Sequence, residues 1–206
     1  MTAPALAKSE YDVCNTVALK RMATPTTIAQ VTGHPADEID NVLDELARRG
    51  LVVRAGEASL ATSDAVPALA QAASQLYAEL REDQHLLELV DRFDIVNKQF
   101  LVTMSAWQQV DIGGRKVLND HSDADYDEKV IAKLIKLVDR LDALVAALGE
   151  YDRRFGSYSQ RFATALYGVD SGRTELVSSA VDDSVHNIWH EFHEDLLRTL
   201  GRERSE

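Results

Sequence analysis

The chain has 206 residues, 45% of them hydrophobic, which is enough for one or two domains with a sizeable core. Its net charge of −12 argues against a nucleic-acid coat protein and against a protein that binds anionic membrane surfaces. The single cysteine, Cys14, excludes an internal disulfide, and its apolar surroundings favour a buried core thiol over a redox sensor.

The sequence also bears on where the protein works. No apolar run approaches the ~20 residues needed to span a bilayer. The first ten residues lack the apolar region of a signal peptide. We therefore expect a cytoplasmic protein without membrane contact.

Residues 24–62 predict a helix, a turn, a longer helix and a two-stranded hairpin. Thr24 and Pro25 are typical of a helix start, and Gly33 is typical of a helix end. The longer helix begins at Pro35, and its apolar residues recur at helical spacing: Ile39, Val42, Leu43 and Leu46. Residues 51–54 and 59–62 predict the two strands. An earlier helix over about residues 11–22 would pack against them.

The run from Ile39 to Val52 has the pattern I-x-x-V-L-x-E-L-x-x-x-G-L-V, which resembles winged helix-turn-helix regulators of the MarR and GntR type. The resemblance covers roughly residues 1–62. It implies that the longer helix lies in the major groove of DNA with the hairpin as a wing beside the backbone. The DNA-binding residues predicted on this basis are Thr26, Thr27, Ala36, Asn41, Arg48, Arg49 and Arg54.

The charges of this segment oppose DNA binding. Residues 1–64 contain six Lys or Arg and nine Asp or Glu, a net charge of −3. Off its buried face the longer helix carries five carboxylates and two guanidiniums, and carboxylates that face a polyanion weaken phosphate contact. The alternative is therefore an adaptor whose acidic winged helix docks on a protein partner.

The rest of the chain predicts helices. A linker helix starts at about Ala65, with a break near Glu82 and Asp83. A long helix follows, with an apolar seam formed by Leu86, Val90, Phe93, Asn97, Phe100, Met104 and Trp107. Asn97 is the polar member of that seam; it would fix a helix register, line a polar pocket or be a satisfied buried amide.

Residues 111–125 predict a loop. Asp123, Asp125 and Asp127 alternate like the start of a calcium loop, but the glycine and the bidentate glutamate of such a loop are missing. We favour a capping box in which Asp125 caps the next helix, with Glu128 three residues on. That helix would run to Gly149, with further helices at about residues 150–167 and 181–200.

The predicted fold class is therefore mainly α, with a winged helix-turn-helix over residues 1–64 and an all-α bundle for ligand sensing and dimerisation over residues 65–206.

The last predicted helix carries His186, His190 and His193 at spacings of four and three, which places them within roughly 60° on one helix face. Asp183 extends that face by one turn. Imidazoles at this spacing can share a divalent metal such as zinc, so these four residues are the candidate metal ligands. Alternatively, the histidines only flank the neighbouring apolar stripe.

Residues 85–205 resemble a helical domain found behind winged helices in actinobacterial proteins usually labelled regulators. Three segments carry this resemblance: Asn119-Asp120-His121-Ser122-Asp123, Trp189-His190-Glu191-Phe192-His193-Glu194-Asp195-Leu196 and Leu200-Gly201-Arg202-Glu203-Arg204. Similar domains occur beside phosphoenolpyruvate-utilising enzymes, and the resemblance implies no established activity. Polar or aromatic interruptions of apolar helices predict a ligand pocket from Asn97, Trp107, Gln108, His121 and Trp189, with His186 beside them.

These observations favour a transcription regulator that binds DNA as a homodimer and senses a small molecule or a metal. The adaptor is the second hypothesis. A metalloenzyme is the third, and it lacks a nucleophile–base motif, a zinc-protease motif and a phosphate loop, so we do not expect an enzyme.

Overall fold

The structure is a computed structural model that describes residues 5–203, so Arg204 of the quoted C-terminal segment lies outside the described residues. It is mainly helical with a small antiparallel sheet. The first part of the chain contains α1 (Lys8–Lys20), β1 (Met22–Ala23), α2 (Pro25–Thr32), α3 (Ala36–Arg48), β2 (Val52–Ala55) and β3 (Ala58–Ala61). The strands pair in the order β1-β3-β2, all antiparallel.

Local sequence signals account for the boundaries of these elements. The Thr24 hydroxyl accepts a hydrogen bond from the backbone N–H of Thr27 (3.2 Å) and caps α2, which Gly33 ends with a φ of 71°. Helix α3 buries Ile39, Leu43 and Leu46. The predicted helices and hairpin are therefore present here. The strand β1 was not predicted, because α1 ends two residues before the expected end.

The second part of the chain contains α4 (Ala65–Leu76), α5 (Gln84–Gln108), β4 (Gln109–Ile112), β5 (Arg115–Leu118), α6 (Ala124–Asp139), α7 (Asp142–Tyr151), α8 (Gly156–Asp170) and α9 (Val185–Leu200). Short 3-10 turns lie at Leu80–Glu82, Arg153–Phe155 and Thr174–Val177. The helices share a hydrophobic core with α1 and α3. The domain boundary expected between residues 64 and 65 stays a prediction.

The loop predicted over residues 111–125 is wrong, because β4 and β5 form a hairpin there. Gly113 and Gly114 both have positive φ, which suits the tight turn between the strands. The capping prediction is also wrong. Asp123, and not Asp125, caps α6 by accepting a hydrogen bond from the backbone N–H of Tyr126 (3.0 Å).

The single helix predicted to end at Gly149 is two helices, α6 and α7, which meet at Arg140 and Leu141. The apolar pattern hides this break, because Leu137, Leu141 and Leu144 are buried on both sides of it. Gly149 lies inside α7. The last helix begins at Val185, four residues later than predicted, because the Ser184 side chain caps it by accepting from the backbone N–H of Asn187.

A buried guanidinium joins the first and last helices of this fold. Arg154 is 3% exposed, and its guanidinium contacts the carboxylates of Asp152 and Asp195. It also donates to the hydroxyls of Thr199 (2.8 Å) and Tyr77. Because charge buried without partners is very costly, these acceptors are required for Arg154 to be ionised in the core.

The same cluster reaches α1. The Asn15 side-chain amide donates to Asp195 (2.8 Å), and the Lys8 ammonium contacts Asp152 (2.9 Å). Burial alone would raise the pKa of Asp152, but Arg154, Tyr77 and Lys8 together hold that pKa below its ordinary value. For Arg154, burial lowers the pKa, and Asp195 and its other neighbours raise it well above the ordinary value. We call this set the Arg154 cluster: Lys8, Asn15, Tyr77, Asp152, Arg154, Asp195 and Thr199.

We expect Arg154→Leu to lower the free energy of unfolding by about 3–5 kcal/mol, because it leaves the buried Asp195 without its cation and Asp152 with only the exposed Lys8. The neighbouring Arg153→Leu is the matched control. Arg153 is exposed and makes one hydrogen bond, to the Gly33 carbonyl (3.2 Å), so its loss should cost about 1 kcal/mol or less. Chemical denaturation of both variants measures the difference, and equal losses would contradict the importance of the Arg154 cluster.

Candidate functional site

The exposed side of α3 is the first candidate surface. Asp37, Glu38, Asp40 and Asp44 are exposed along it, and Asn41 lies among them. The Asn41 amide donates to the Asp37 carbonyl of the preceding turn (3.1 Å). The surface that would meet DNA in a winged helix is thus dominated by carboxylates. We call these four carboxylates the α3 acidic face.

The arginines predicted to contact phosphate are each held by carboxylates. Arg54 donates to Asp40 (2.8 Å) and lies 3.8 Å from Asp44. Arg49 is half-buried and contacts Glu10 of α1 at 3.1 Å. A phosphate would have to compete with these carboxylates for either cation.

The remaining residues predicted to contact DNA differ in charge and in accessibility. Arg48 pairs with Glu45 one turn earlier on α3. Thr27 is half-buried, and its hydroxyl lies 3.0 Å from that of Thr24. Thr26 and Ala36 are exposed. Their positions at the starts of α2 and α3 leave them accessible, but neither supplies charge.

The sheet beside α3 presents an apolar row on its outer face. Met22, Val53 and Leu60 lie side by side across the three strands, because Leu60 is opposite Met22 on one side and Val53 on the other. They are 60%, 55% and 38% exposed, respectively. Such a contiguous exposed row is typical of a contact surface.

A groove between α5 and α9 is the second candidate site. Its volume is about 680 Å³, and aromatic and aliphatic side chains line it together with Asn97, Lys98, Arg202 and the three histidines of α9. Asn97 and Trp189 meet there: the indole N–H donates to Asn97 Oδ1 at 2.9 Å. Burial and the nearby His190 lower the pKa of His186.

The other predicted ligand residues lie elsewhere. Trp107 is ten residues beyond Asn97 on α5, about 15 Å along the helix axis, and its indole donates to the Ser178 hydroxyl (3.1 Å). His121 packs on the Trp107 ring, with centroids 4.3 Å apart, and its Nδ1 lies 2.8 Å from Asp127. Gln108 is exposed. Trp107 and Gln108 lie at the end of α5 and His121 follows β5, so none of the three lines the groove.

The four predicted metal ligands are also not brought together. Asp183 precedes α9 and is held by Lys20 (2.8 Å) and by Arg161 (2.9 and 3.1 Å). His186, His190 and His193 line the groove instead. Within residues 5–203, no group of three or more His, Cys, Asp or Glu is placed to hold a metal ion.

Several important residues gave little signal in the sequence. Lys98 and Arg202 join the groove from separate elements, and only the facing of α5 and α9 shows that they lie near the histidines. The Arg154 cluster was missed entirely. Its one local signal is a pair of polar residues, Asp195 and Thr199, on the buried side of α9.

Comparison of the chain with protein-family models, with curated proteins and with solved structures finds no match. In the part of the chain that the structure describes, no helix combines the length and the apolar character needed to cross a membrane. Function must therefore be argued from the α3 acidic face and from the groove.

We expect Asp183 to make stability depend on pH in acid. Burial raises its pKa, but Arg161 and Lys20 lower it to about 2. The unfolded chain then binds the proton more readily than the folded one. The contribution of Asp183 to stability is present above about pH 4 and is lost as the pH falls through about 2.

The measurement is the free energy of unfolding of the wild type and of Asp183→Asn along a pH series. The gap between them should be constant near neutral pH and should shrink below about pH 4. A gap that does not change with pH would show that the ion pairs of Asp183 do not stabilise the folded state.

Proposed function

We propose that this chain is a protein-interaction module that uses the α3 acidic face to dock on a basic surface of a partner protein. The observation that carries the proposal is the pairing of the cations around α3. Arg48, Arg49 and Arg54 all contact carboxylates, whereas Asp37 and Glu38 are exposed at the start of the helix with no described salt bridge. The charge offered to a partner is therefore negative.

The local architecture suits docking. Helix α3 packs against α1, α2 and β2, and its opposite face is exposed. Arg54 reaches from β2 to Asp40 and thereby links the acidic helix to the strand that carries Val53. The apolar row of Met22, Val53 and Leu60 offers the apolar area that a protein interface needs beside its charges.

A DNA-binding regulator is the second candidate. The order of α1, α2, α3 and the β2–β3 hairpin favours it, since winged helix-turn-helix domains share that order. Exposed Thr26, Ala36 and Asn41 would then face the groove of DNA. This reading requires Arg48, Arg49 and Arg54 to leave their carboxylates, and it requires the acidic face to approach phosphate.

A regulator of that kind would also act as a homodimer and respond to an effector. Ile95, Leu101 and Val102 of α5 are exposed apolar side chains on which a second copy could pack. A module that docks on one partner does not require a dimer. The oligomeric state in solution therefore helps to separate the two functions.

The two functions predict opposite effects of removing negative charge. We expect Asp37→Asn/Glu38→Gln/Asp44→Asn to weaken capture of a protein partner by about threefold or more, because three exposed ion pairs at ~0.2–1 kcal/mol each are lost. The same variant should bind DNA no more weakly than the wild type. Asp40 is left unchanged because it makes the 2.8 Å contact with Arg54, whereas Asp44 lies farther from that guanidinium, at 3.8 Å.

The assay offers each immobilised protein to a lysate of its own organism and, separately, to pooled genomic DNA fragments over a salt series. The matched control, Glu88→Gln/Glu128→Gln/Glu150→Gln, removes three exposed carboxylates from other surfaces. Melting curves check that α3 is intact. Sequence-specific DNA enrichment by the wild type, or equal partner capture by the two triple variants, would contradict the docking proposal.

A further inference from the structure

Helix α6 presents a row of cations on its outer face. Lys129, Lys133 and Lys136 are exposed at spacings of four and three, which places them within about 60° of one another around the helix. None of the three lysines makes an ion pair in the described part of the chain. The exposed Glu128 and Asp139 of the same helix lie about 90–110° from the centre of the row. We call the three lysines the α6 basic stripe.

The charges of α3 and α6 follow the same steps when the two helices are read in opposite directions. Four exposed charges of α3 are separated by three, four and four residues: Asp37, Asp40, Asp44 and Arg48. Four exposed charges of α6 are separated by the same steps when read backwards: Lys136, Lys133, Lys129 and Asp125. Both sets lie at about 0, 4.5, 10.5 and 16.5 Å along the helix axis and within about 80° around it. The signs are opposite at all four positions.

An antiparallel contact between α3 of one copy and α6 of another would therefore pair all four charges. The three carboxylates meet the α6 basic stripe, and Arg48 meets Asp125. In a parallel contact, Arg48 would instead meet Arg140, because each lies eleven residues beyond the first charge of its helix. The reversal of sign at the end of both sets therefore favours the antiparallel orientation.

The internal contacts of α3 leave these charges accessible. The side chains of Asp40 and Asp44 are 55% and 68% exposed although Arg54 lies beside them. A carboxylate has two oxygens and about four acceptor positions, so Asp40 can accept from Arg54 and from a second cation. The Arg48 side chain is 71% exposed beside its contact with Glu45.

The antiparallel orientation also brings two exposed apolar surfaces to the same end of the contact. Strand β2 follows the C-terminal end of α3, and β5 precedes the N-terminal end of α6, so these helix ends lie side by side. Val53 on β2 belongs to the apolar row of the first sheet. Ile112 and Leu118 of the β4–β5 hairpin are 65% and 81% exposed. A two-stranded hairpin is marginally stable alone in water, so contact with a second copy would stabilise it.

We propose that the α3 acidic face of one copy docks antiparallel on the α6 basic stripe of a second copy. The proposal rests on the docking function proposed above, because it identifies the basic surface that the α3 acidic face binds. The chain has a net charge of −12, so two copies attract only where a local surface has the opposite sign. Two copies that exchange both contacts form a closed dimer, whereas successive single contacts form a ring or an open chain.

The test reverses the charges of each surface in the full-length protein. Sedimentation equilibrium at low salt, from about 10 µM to about 1 mM, should show an average mass that rises with the concentration of the wild type. Asp37→Lys/Asp44→Lys and Lys129→Glu/Lys136→Glu should each weaken self-association about fourfold or more, because two pairs of opposite charge become pairs of like charge. The four substitutions together should restore it, because α3 is then basic and α6 acidic.

The controls separate the local pairs from net charge and from folding. Two reversals change the net charge by four, so the α3 variant has −8 and should associate less although its overall repulsion is smaller. The combined variant keeps −12. The α6 variant has −16, and Lys98→Glu/Arg173→Glu is the matched control, with the same net charge from exposed positions outside both surfaces. Melting curves check the helices, because Asp37 lies in the first turn of α3.

Arg48→Glu tests the orientation. In the antiparallel contact it places two carboxylates together, so self-association should weaken about twofold or more. In a parallel contact it would remove the repulsion from Arg140, and a stronger association would therefore contradict the proposed orientation.

Three results would overturn the proposal. One is a wild type that stays monomeric at about 1 mM. Another is an association that the four substitutions together do not restore. The third is an equal loss in the α6 variant and its matched control. Association that none of the reversals changes would assign the contact to the exposed apolar residues of α5.

The docking function can fail or stand separately. A monomeric wild type whose partner capture is weakened by Asp37→Asn/Glu38→Gln/Asp44→Asn would overturn the second copy as the partner and leave the docking function in place. Unchanged capture by that variant would contradict the docking function itself.

Discussion

The fold depends on placing one guanidinium in the core without leaving it unpaired. Arg154 receives two carboxylates and two hydroxyls, and aromatic rings surround it, with the Phe155 ring 4.2 Å from the guanidinium carbon. The donors and acceptors come from α1, the end of α4, the turn before α8, and α9. Segments more than a hundred residues apart in the chain must therefore meet in one arrangement for the charges to be satisfied.

The buried ion pairs of Arg154 contribute more to the specificity of helix packing than to net stability. Burial of an ion pair costs about as much as the attraction returns, so an apolar cluster of equal volume could be as stable. An apolar cluster would accept several packings of α1 against α9, however. The fixed geometry of Asn15, Arg154 and Asp195 admits few, and we infer that this is why charge is kept in the core.

Both candidate surfaces depend on that arrangement. Helix α9 turns Asp195 towards the Arg154 cluster and His186, His190 and His193 towards the groove. Helix α1 contributes Asn15 to the cluster and Glu10 to the Arg49 pair that supports the end of α3. A second set of ion pairs, in which Lys20 and Arg161 meet Asp183 and Glu191, holds the far ends of α1 and α9 together. The groove and the α3 acidic face are thus built on a shared frame.

Local sequence signals were sufficient to predict those helices whose boundaries are set by neighbouring residues. Thr24, Pro25 and Gly33 define α2 through capping, which operates within a few residues. The break between α6 and α7 could not be read, because an apolar stripe continues through it. The sequence predicts one pocket from Asn97, Trp107, His121 and Trp189. In the fold, Asn97 meets Trp189 in the groove, whereas Trp107 packs on His121 elsewhere. Polar interruptions of apolar helices look alike in sequence, and only the distance along α5 separates them.

The sequence also does not show which charged side chains are already paired with one another. For the arginines near α3, this changes the function that we infer. In the sequence, Arg48, Arg49 and Arg54 are three cations near a helix that resembles a DNA-reading helix. In the fold, each contacts a carboxylate: Arg48 contacts Glu45 on the same helix, Arg49 contacts Glu10, which lies 39 residues earlier, and Arg54 contacts two carboxylates of α3. The charge that a surface presents to a partner is the net charge that remains after its internal ion pairs have been counted. For α3 that remainder is negative, which is why the proposed partner is a basic protein surface and not a phosphate backbone.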